Sequence, residues 1–108
     1  MVEGTVKIDN RDSIENYLRI ASSACESGNN NEAENYCNKI IEIDSENYKA
    51  WFIKGKAAGW QSTLAKIRLD ETLNCFSKAV DFAPEEEKEA VKKQSADEMD
   101  KLSMALVN

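Results

Sequence analysis

Apolar residues recur along this chain at the three- and four-residue spacing of an α-helix. Two clear stripes are separated by a glycine and three asparagines at 28–31. The first stripe comprises Tyr17, Leu18, Ala21, Ala24 and Cys25, and the second comprises Ala33, Tyr36, Cys37, Ile40 and Ile41. The 108 residues include only four glycines and one proline, so few positions interrupt a helix. The pattern predicts an all-α domain in which residues 1–10 are mostly loose.

Capping residues mark the ends of the first two helices. Asp12 with Glu15 three positions later has the pattern of a capping box, which predicts that helix one begins there. Gly28 tolerates the left-handed conformation that closes a helix, so it marks the end of helix one. Asn30 or Asn31 is then expected to cap helix two.

The segment DSEN at 44–47 supplies cap donors for a third helix, which we expect from about Tyr48 to Trp60. Three polar residues follow Trp60, and such residues suit a helix end and a new cap better than a helix interior. We therefore predict that helix four begins near Ser62 or Thr63. Helix four is then longer than helix two by about one turn.

The chain also contains an internal repeat. Tyr17 with a small residue four positions later is matched by Trp51, 34 residues further on, with Gly55. The segment NEAENYCNKIIEID at 31–44 aligns with DETLNCFSKAVDFA at 70–83, but at an offset of 39. The change of offset places an insertion of about five residues between Gly55 and the second segment.

These residues resemble the tetratricopeptide repeat family, whose motif is a helix–turn–helix of 34 residues. The residues that carry the resemblance are Tyr17, Ala21, Gly28, Ala33, Cys37 and Asn47 in the first repeat and Trp51, Gly55, Phe76, Ala79 and Pro84 in the second. Three features depart from the motif: Ser45 stands where proline is usual, Thr72 replaces an alanine, and the turn inside the second repeat is enlarged. The resemblance covers about residues 14–84. It implies a right-handed superhelix of two antiparallel hairpins with a C-terminal capping helix.

On this basis the chain divides into a flexible linker and one helical domain. The expected bounds are 1–11 for the linker, 12–108 for the domain, 14–47 for repeat one, 48–84 for repeat two and 85–107 for the capping helix. The first residues, MVEGTVKIDN, are also similar to a stretch of bacterial proteins in which a short zinc ribbon precedes such repeats. That weaker resemblance implies that the chain is a fragment of a larger bacterial protein, with its ribbon upstream. It carries no zinc ligand over to this chain.

Composition excludes several classes of function. The net charge of −6 disfavours binding to nucleic acids and to anionic membranes, because both need a basic field. No run approaches the about 18 apolar residues of a membrane span, and residues 1–10 lack an apolar signal core, so we expect a cytoplasmic protein.

The residues of catalysis and metal binding are scarce. The chain has no histidine, and its three cysteines, Cys25, Cys37 and Cys75, are far apart, so a zinc site with four ligands is not expected. We expect the cysteines to be small buried hydrophobes. There is no glycine-rich phosphate loop and no nucleophile elbow, so we expect no enzyme and no cofactor.

The family resemblance implies a protein that binds protein or peptide partners on the concave side of its stacked first helices. The candidate positions on that side are Arg19, Ser22, Lys49, Phe52 and Lys56. Three of these are basic on an acidic protein, and they suit an acidic peptide or a C-terminal carboxylate. The alternative is that they only balance neighbouring acids on a solvated face. The family's clamp for chaperone tails is not expected, because Leu18 and Ser22 occupy two of its positions.

The insertion is a second candidate site. On a helix, Leu69, Leu73, Phe76 and Val80 fall within one arc, whereas Leu64 and Ile67 project to nearly the opposite side. One hypothesis is an apolar and basic patch for a partner, formed by Trp60, Leu64, Ile67 and Arg68. The alternative is a local cluster in which the apolar residues of the insertion pack down on the domain.

The last helix carries one narrow apolar stripe, made of Val91, Ser95, Met99, Leu102 and Leu106. Repeat arrays need a terminal helix with a polar outer face, and this helix suits that role. We therefore expect a non-catalytic protein–protein interaction scaffold, monomeric or weakly dimeric. The alternative is a structural oligomerisation unit that self-associates through the terminal helix.

Overall fold

Five α-helices build the protein in a computed structural model, which describes the backbone of residues 2–62 and 66–107 and the side chains of residues 11–62 and 66–106. The helices are α1 (Val2–Glu26), α2 (Asn30–Ile43), α3 (Tyr48–Trp60), α4 (Leu69–Phe82) and α5 (Lys88–Val107). A short 3-10 turn, Glu85–Glu87, leads into α5. No strand occurs in these ranges, which confirms the predicted all-α class. Within the same ranges, no helix combines the length and apolar character needed to cross a lipid bilayer.

The predicted turns lie where cap chemistry places them. Gly28 has φ of 84°, and the amide of Asn29 donates to the carbonyl of Ala24 at 2.8 Å, which closes α1. Asn47 caps α3 by accepting a hydrogen bond from the amide of Ala50 at 3.1 Å. Both bounds of α3 agree with the prediction.

The start of α2 differs from the prediction by one residue. Its N-cap is Asn29 rather than Asn30 or Asn31. The Asn29 side chain makes no cap bond to the backbone and instead donates from Nδ2 to Glu32 at 2.6 Å. With three asparagines in succession, the choice among them is made by the turn after Gly28 rather than by residue type.

The start of α1 also differs, since the helix begins at Val2 and not at Asp12. Residues 2–11 contain no proline, and Gly4 is their only glycine, so nothing in the covalent chain ends a helix there. A capping box stabilises a helix end only if the chain leaves the helix at that point. The linker predicted at 1–11 is therefore helical from Val2 onwards.

Helix α4 begins at Leu69, later than the predicted Ser62 or Thr63. It has 14 residues, the same as α2, so the predicted extra turn is wrong. Residues 66–68 are not helical, and the Ser62 hydroxyl accepts a hydrogen bond from the amide of Arg68 at 2.8 Å. Ser62 thus stabilises the end of the connection instead of capping a helix that starts at its own position.

Helix α3 is at the centre of the fold, since it packs against all four other helices. Its buried surface is made of small residues apart from Ile53. A Cβ atom at Gly55 would come within 2.7 Å of the Phe76 ring, and one at Gly59 within 2.6 Å of a Leu102 methyl carbon. These two glycines therefore allow α4 and α5 to approach the α3 backbone.

The departure of Thr72 from the repeat motif has a structural reason. Its side chain is fully buried, and the hydroxyl donates to the carbonyl oxygen of Gly55 at 2.9 Å. The close approach at Gly55 brings this carbonyl within reach of α4. The hydroxyl adds one interhelical hydrogen bond, which an alanine would not supply.

Helix α5 covers one edge of α3 and α4 with the predicted stripe, of which Val91, Ser95 and Leu102 are buried. Two carboxylates of the C-terminal segment bind the two ends of α3. The hydroxyl of Tyr48, the first residue of α3, donates to Glu87 at 3.0 Å, and the indole of Trp60, its last residue, donates to Glu98 at 2.6 Å.

The glycine contact predicts the effect of Gly55→Ala. An alanine is favoured over glycine in a helix by about 1 kcal/mol, but overpacking against a ring costs about 1–3 kcal/mol. We expect Gly55→Ala to lower the free energy of unfolding by about 1–2 kcal/mol in urea denaturation. In a Phe76→Leu background, which removes the ring, the same change is expected to cost less. An equal cost in both backgrounds would contradict the close approach.

Candidate functional site

A groove with a volume of about 600 Å³ runs between α1, α3 and α5. We call it the α1–α3–α5 groove. Its lining residues are Glu15, Leu18, Arg19 and Ser22 of α1, Tyr48, Lys49, Phe52, Ile53 and Lys56 of α3, and Glu87, Ala90, Val91 and Gln94 at the α5 edge. All five residues predicted for the concave side, Arg19, Ser22, Lys49, Phe52 and Lys56, are among them. The structure thus brings the first candidate site together in one place.

The floor of this groove is apolar. Ile53 is 9% exposed and belongs to the core shared with α1 and α2. Phe52 is half-buried and stacks on Phe76, with ring centroids 5.2 Å apart. Leu18 adds a half-buried aliphatic side chain from α1. The floor can therefore hold an apolar side chain of a ligand.

The rim of the groove carries three cations, Arg19, Lys49 and Lys56. Arg19 donates to the side-chain oxygen of Asn16 at 2.9 Å, and the ammonium of Lys56 lies 5.2 Å from the centre of the Phe52 ring. Neither these two cations nor Lys49 forms an ion pair with a carboxylate in the described part of the chain. Three cations thus remain available at the rim.

Two carboxylates, Glu15 and Glu87, line the same groove, so the lining has one positive charge in excess. Glu87 accepts the hydrogen bond from Tyr48. Burial of the ring and the nearby Glu87 carboxylate raise the pKa of Tyr48, so this phenol stays a proton donor. The chain has a net charge of −6, so the net charge of the groove lining is opposite in sign to that of the whole chain.

The thiols offer no reactive centre. All three cysteines are free, and Cys37 and Cys75 are buried while Cys25 is partly exposed. Burial raises the pKa of Cys37 to about 12, and it raises those of Cys25 and Cys75 as well, so the nucleophilic thiolate is suppressed. Within the described ranges, no group of three or more cysteine, aspartate or glutamate residues is placed to hold a metal ion.

The residues predicted for the insertion patch have separate neighbours. Trp60 is 40% exposed and binds α5 through Glu98, and Ile67 is 57% exposed. The Arg68 side chain is only 15% exposed, and its guanidinium contacts Glu34 of α2 and Glu71 of α4 at 2.7 Å each. Leu64 lies outside the described residues.

Both earlier hypotheses for the insertion therefore need correction. Arg68 is not presented to a partner, because two carboxylates occupy its guanidinium. The exposure of Ile67 also shows that this residue does not pack down in a local cluster. Polar contacts hold the connection between α3 and α4 to α2, since the side-chain amide of Gln61 also donates a hydrogen bond to Glu34, at 2.9 Å.

The sequence reasoning missed the α5 wall of the groove. Val91 was placed only on the capping stripe, and Glu87 was assigned no role. A signal was present: extending the repeat offset of 39 by one step maps Tyr48 onto Glu87 and Phe52 onto Val91. The capping helix thus contributes to the groove at positions equivalent to those of α3.

Comparison with known proteins gave no relative, since no protein-family model, no curated protein and no solved structure matches this chain. Function is therefore argued from the geometry.

The Arg68 contacts predict a stability effect. In Arg68→Met, the Glu34 side chain, which is 15% exposed, remains shielded from water, but its carboxylate no longer has the guanidinium that balances its charge. We expect the free energy of unfolding to fall by about 1–3 kcal/mol. The matched control is Lys92→Met, which removes an exposed 3.7 Å pair with Glu89 and is expected to cost less than about 1 kcal/mol. Equal losses in the two variants would contradict this account.

The same contacts predict how stability depends on pH. Burial alone would raise the pKa of Glu34, but hydrogen bonds from Arg68 and Gln61 outweigh it and hold that pKa below its ordinary value. Because the pKa of Glu34 is lower in the folded state, its ionised carboxylate stabilises the fold. This stabilisation is complete above the ordinary glutamate pKa of about 4.3 and is lost as the pH falls through the folded-state pKa. Urea titrations at decreasing pH should therefore show a smaller acid loss in Arg68→Met than in the parent chain.

Trp60 is expected to contribute moderately to stability. A ring that is 40% exposed should lose about 1–2 kcal/mol on Trp60→Ala, less than the about 3–5 kcal/mol of a fully buried large side chain. A double-mutant cycle of Trp60→Phe with Glu98→Ala should give a coupling of about 1 kcal/mol, because only the indole donates to that carboxylate. A loss above about 3 kcal/mol or an absent coupling would contradict this geometry.

Proposed function

We propose that the protein is a non-catalytic protein-interaction scaffold that holds an acidic peptide segment in the α1–α3–α5 groove. We propose further that its helices form two tetratricopeptide-like hairpins closed by α5, in a right-handed superhelix. The partner expected is a segment of another protein with at least one large apolar side chain flanked by carboxylates.

The order of helix contacts supports the superhelix. Each of α1 to α4 packs against the next helix along the chain, and further contacts join α1 to α3 and α3 to α5. A stack of helical hairpins has this pattern, because each new helix covers its predecessor while alternate helices line one side. The groove in question is lined by the alternate helices α1, α3 and α5.

The proposal is supported above all by the positive net charge of the groove lining. Arg19, Lys49 and Lys56 converge on one apolar floor and lack ion-pair partners in the described part of the chain, although acidic residues predominate in the sequence. If these cations only balanced neighbouring acids, each would be expected to have a carboxylate within contact distance. Cations over an apolar floor match a ligand that carries both features.

The test uses two sets of synthetic peptides that differ only in charge. Each peptide carries one aromatic or branched aliphatic residue, flanked by aspartate and glutamate in one set and by lysine in the other. Fluorescence polarisation should show binding of the acidic set, and the affinity should fall with added salt. Lys49→Glu and Lys56→Glu should each weaken binding by about tenfold or more, as expected for loss of a charge-assisted contact of about 1.4 kcal/mol.

Lys39→Glu is the matched control. Lys39 is exposed on α2, outside the groove, and its ammonium lies 6.0 Å from the Tyr36 ring, much as Lys56 lies over Phe52. Its substitution should leave peptide binding unchanged. Equal binding of acidic and basic peptides, binding of neither set, or equal losses in Lys39→Glu and Lys56→Glu would overturn the proposal.

A further inference from the structure

A second cavity, with a volume of about 650 Å³, lies where α1 faces the end of α2 and the turn into α3. We call it the turn cavity. Four residues, Glu15, Leu18, Tyr48 and Lys49, line both this cavity and the α1–α3–α5 groove, so the two spaces adjoin. A ligand that is held in the groove can therefore extend into the turn cavity.

The turn cavity has apolar surface of its own. Ile14 of α1 is half-buried, and Ile43, the last residue of α2, is 41% exposed. Both line the cavity beside the shared Leu18. Apolar surface that stays open next to a groove is available to a second apolar side chain of the same ligand.

The charges of the turn cavity favour a cation. Besides the shared residues, it is lined by two carboxylates, Asp44 and Glu46, and by one cation, Arg11. None of the three forms an ion pair within the part of the chain that the structure describes. The Asp44 carboxylate accepts hydrogen bonds from the backbone amide of Glu46 at 3.2 Å and from the side-chain amide of Asn47 at 3.4 Å, which are both neutral donors. One negative charge therefore remains in excess.

The two adjoining spaces thus have opposite net charges. The shared Glu15 and Lys49 cancel each other, so the groove has one positive charge in excess with or without them. Lys56 of the groove lies about two turns beyond Lys49 on α3, whereas Glu46 of the turn cavity lies on the turn before α3. A ligand that spans both spaces needs negative charge at the Lys56 end and positive charge at the Glu46 end.

The spacing of side chains along α1 matches an extended ligand. Leu18, which borders both spaces, is four residues after Ile14 and four residues before Ser22 of the groove. Residues four apart lie on one face of a helix, about 6 Å apart along its axis. Alternate side chains of an extended peptide lie on one face about 6.6 Å apart. Two apolar residues separated by one position can therefore occupy the groove and the turn cavity together.

We infer that the turn cavity is a second subsite for the same protein partner, and that it binds an apolar side chain followed by a lysine or arginine. The partner segment is extended, with carboxylates at the Lys56 end, two apolar residues separated by one position, and a cation at the Glu46 end. This inference rests on the proposed function, because it assigns the continuation of the segment that the groove holds.

Three labelled peptides test the second subsite. The short peptide carries one apolar residue flanked by carboxylates, with a single carboxylate on the side to be extended. The two long peptides add a second apolar residue there, followed by lysine in one and by glutamate in the other. One series is extended at the N-terminus and another at the C-terminus, since side-chain contacts alone do not fix the chain direction. In fluorescence polarisation, the lysine peptide of one series should bind at least tenfold more tightly than the short peptide, equivalent to about 1.4 kcal/mol, and the glutamate peptide should not.

Two variants of the chain examine the turn cavity separately from the groove. Glu46→Lys should reverse the preference, so that the glutamate peptide binds more tightly than the lysine peptide, while the affinity for the short peptide stays unchanged. Its matched control is Glu42→Lys, at an exposed position of α2 outside both spaces, which should keep the parent preference. Ile43→Ser should remove the gain from the second apolar residue, whereas Ile67→Ser, at an exposed isoleucine outside both spaces, should retain it.

The short peptide separates failure of this inference from failure of the proposed function. If neither the short nor the long peptides bind, both proposals are overturned. If the short peptide binds and the lysine extension brings no gain, the second subsite alone is wrong. Equal gains from the lysine and glutamate extensions, or an unchanged preference in Glu46→Lys, would overturn the role assigned to the turn carboxylates; far-UV circular dichroism checks that each variant is folded.

Discussion

The close approach of four helices to the small-residue surface of α3 is the constraint on which the rest of the structure depends. Ala50, Ala57 and Ala58 are buried, and the two glycines admit the Phe76 ring and the Leu102 side chain to van der Waals distance of the backbone. Interiors are packed as densely as organic crystals, so a side chain at either glycine would force the Phe76 ring or the Leu102 side chain to shift. Because α4 and α5 both rest on α3, their positions, and with them the α1–α3–α5 groove, follow from this surface.

The sequence predicted the elements whose determinants are local. The bounds of α3 follow from the Asn47 cap and from the polar residues after Trp60, and Gly28 ends α1 through its positive φ. The five candidate residues for the concave side came from the family resemblance, which implies that the first helix of each hairpin lines one side. The structure brings all five to one groove.

Prediction failed where a distant contact decides the local structure. Ser62 has the character of a cap, but its hydroxyl accepts the Arg68 amide, and the Arg68 side chain reaches Glu34, 34 positions away. The capping character of Ser62 gives no sign of that ion pair, so the start of α4 predicted from it came too early. Periodicity likewise places Leu73 in one apolar arc with Phe76, but whether a neighbour covers all of that arc depends on where α5 lies, and Leu73 is 52% exposed.

Helix α5 forms a wall of the α1–α3–α5 groove in addition to covering α3 and α4. Tyr48 and Trp60, the two ends of α3, hold it through Glu87 and Glu98, and Leu102 rests on Gly59. Glu87 lies just before α5 and Glu98 near its middle, so these charge-assisted hydrogen bonds hold the first half of α5 against α3. Since Ala90, Val91 and Gln94 lie in this half, the width of the α1–α3–α5 groove depends on these contacts. A change that loosens either carboxylate contact would alter this groove while leaving the core of α1, α2 and α3 in place.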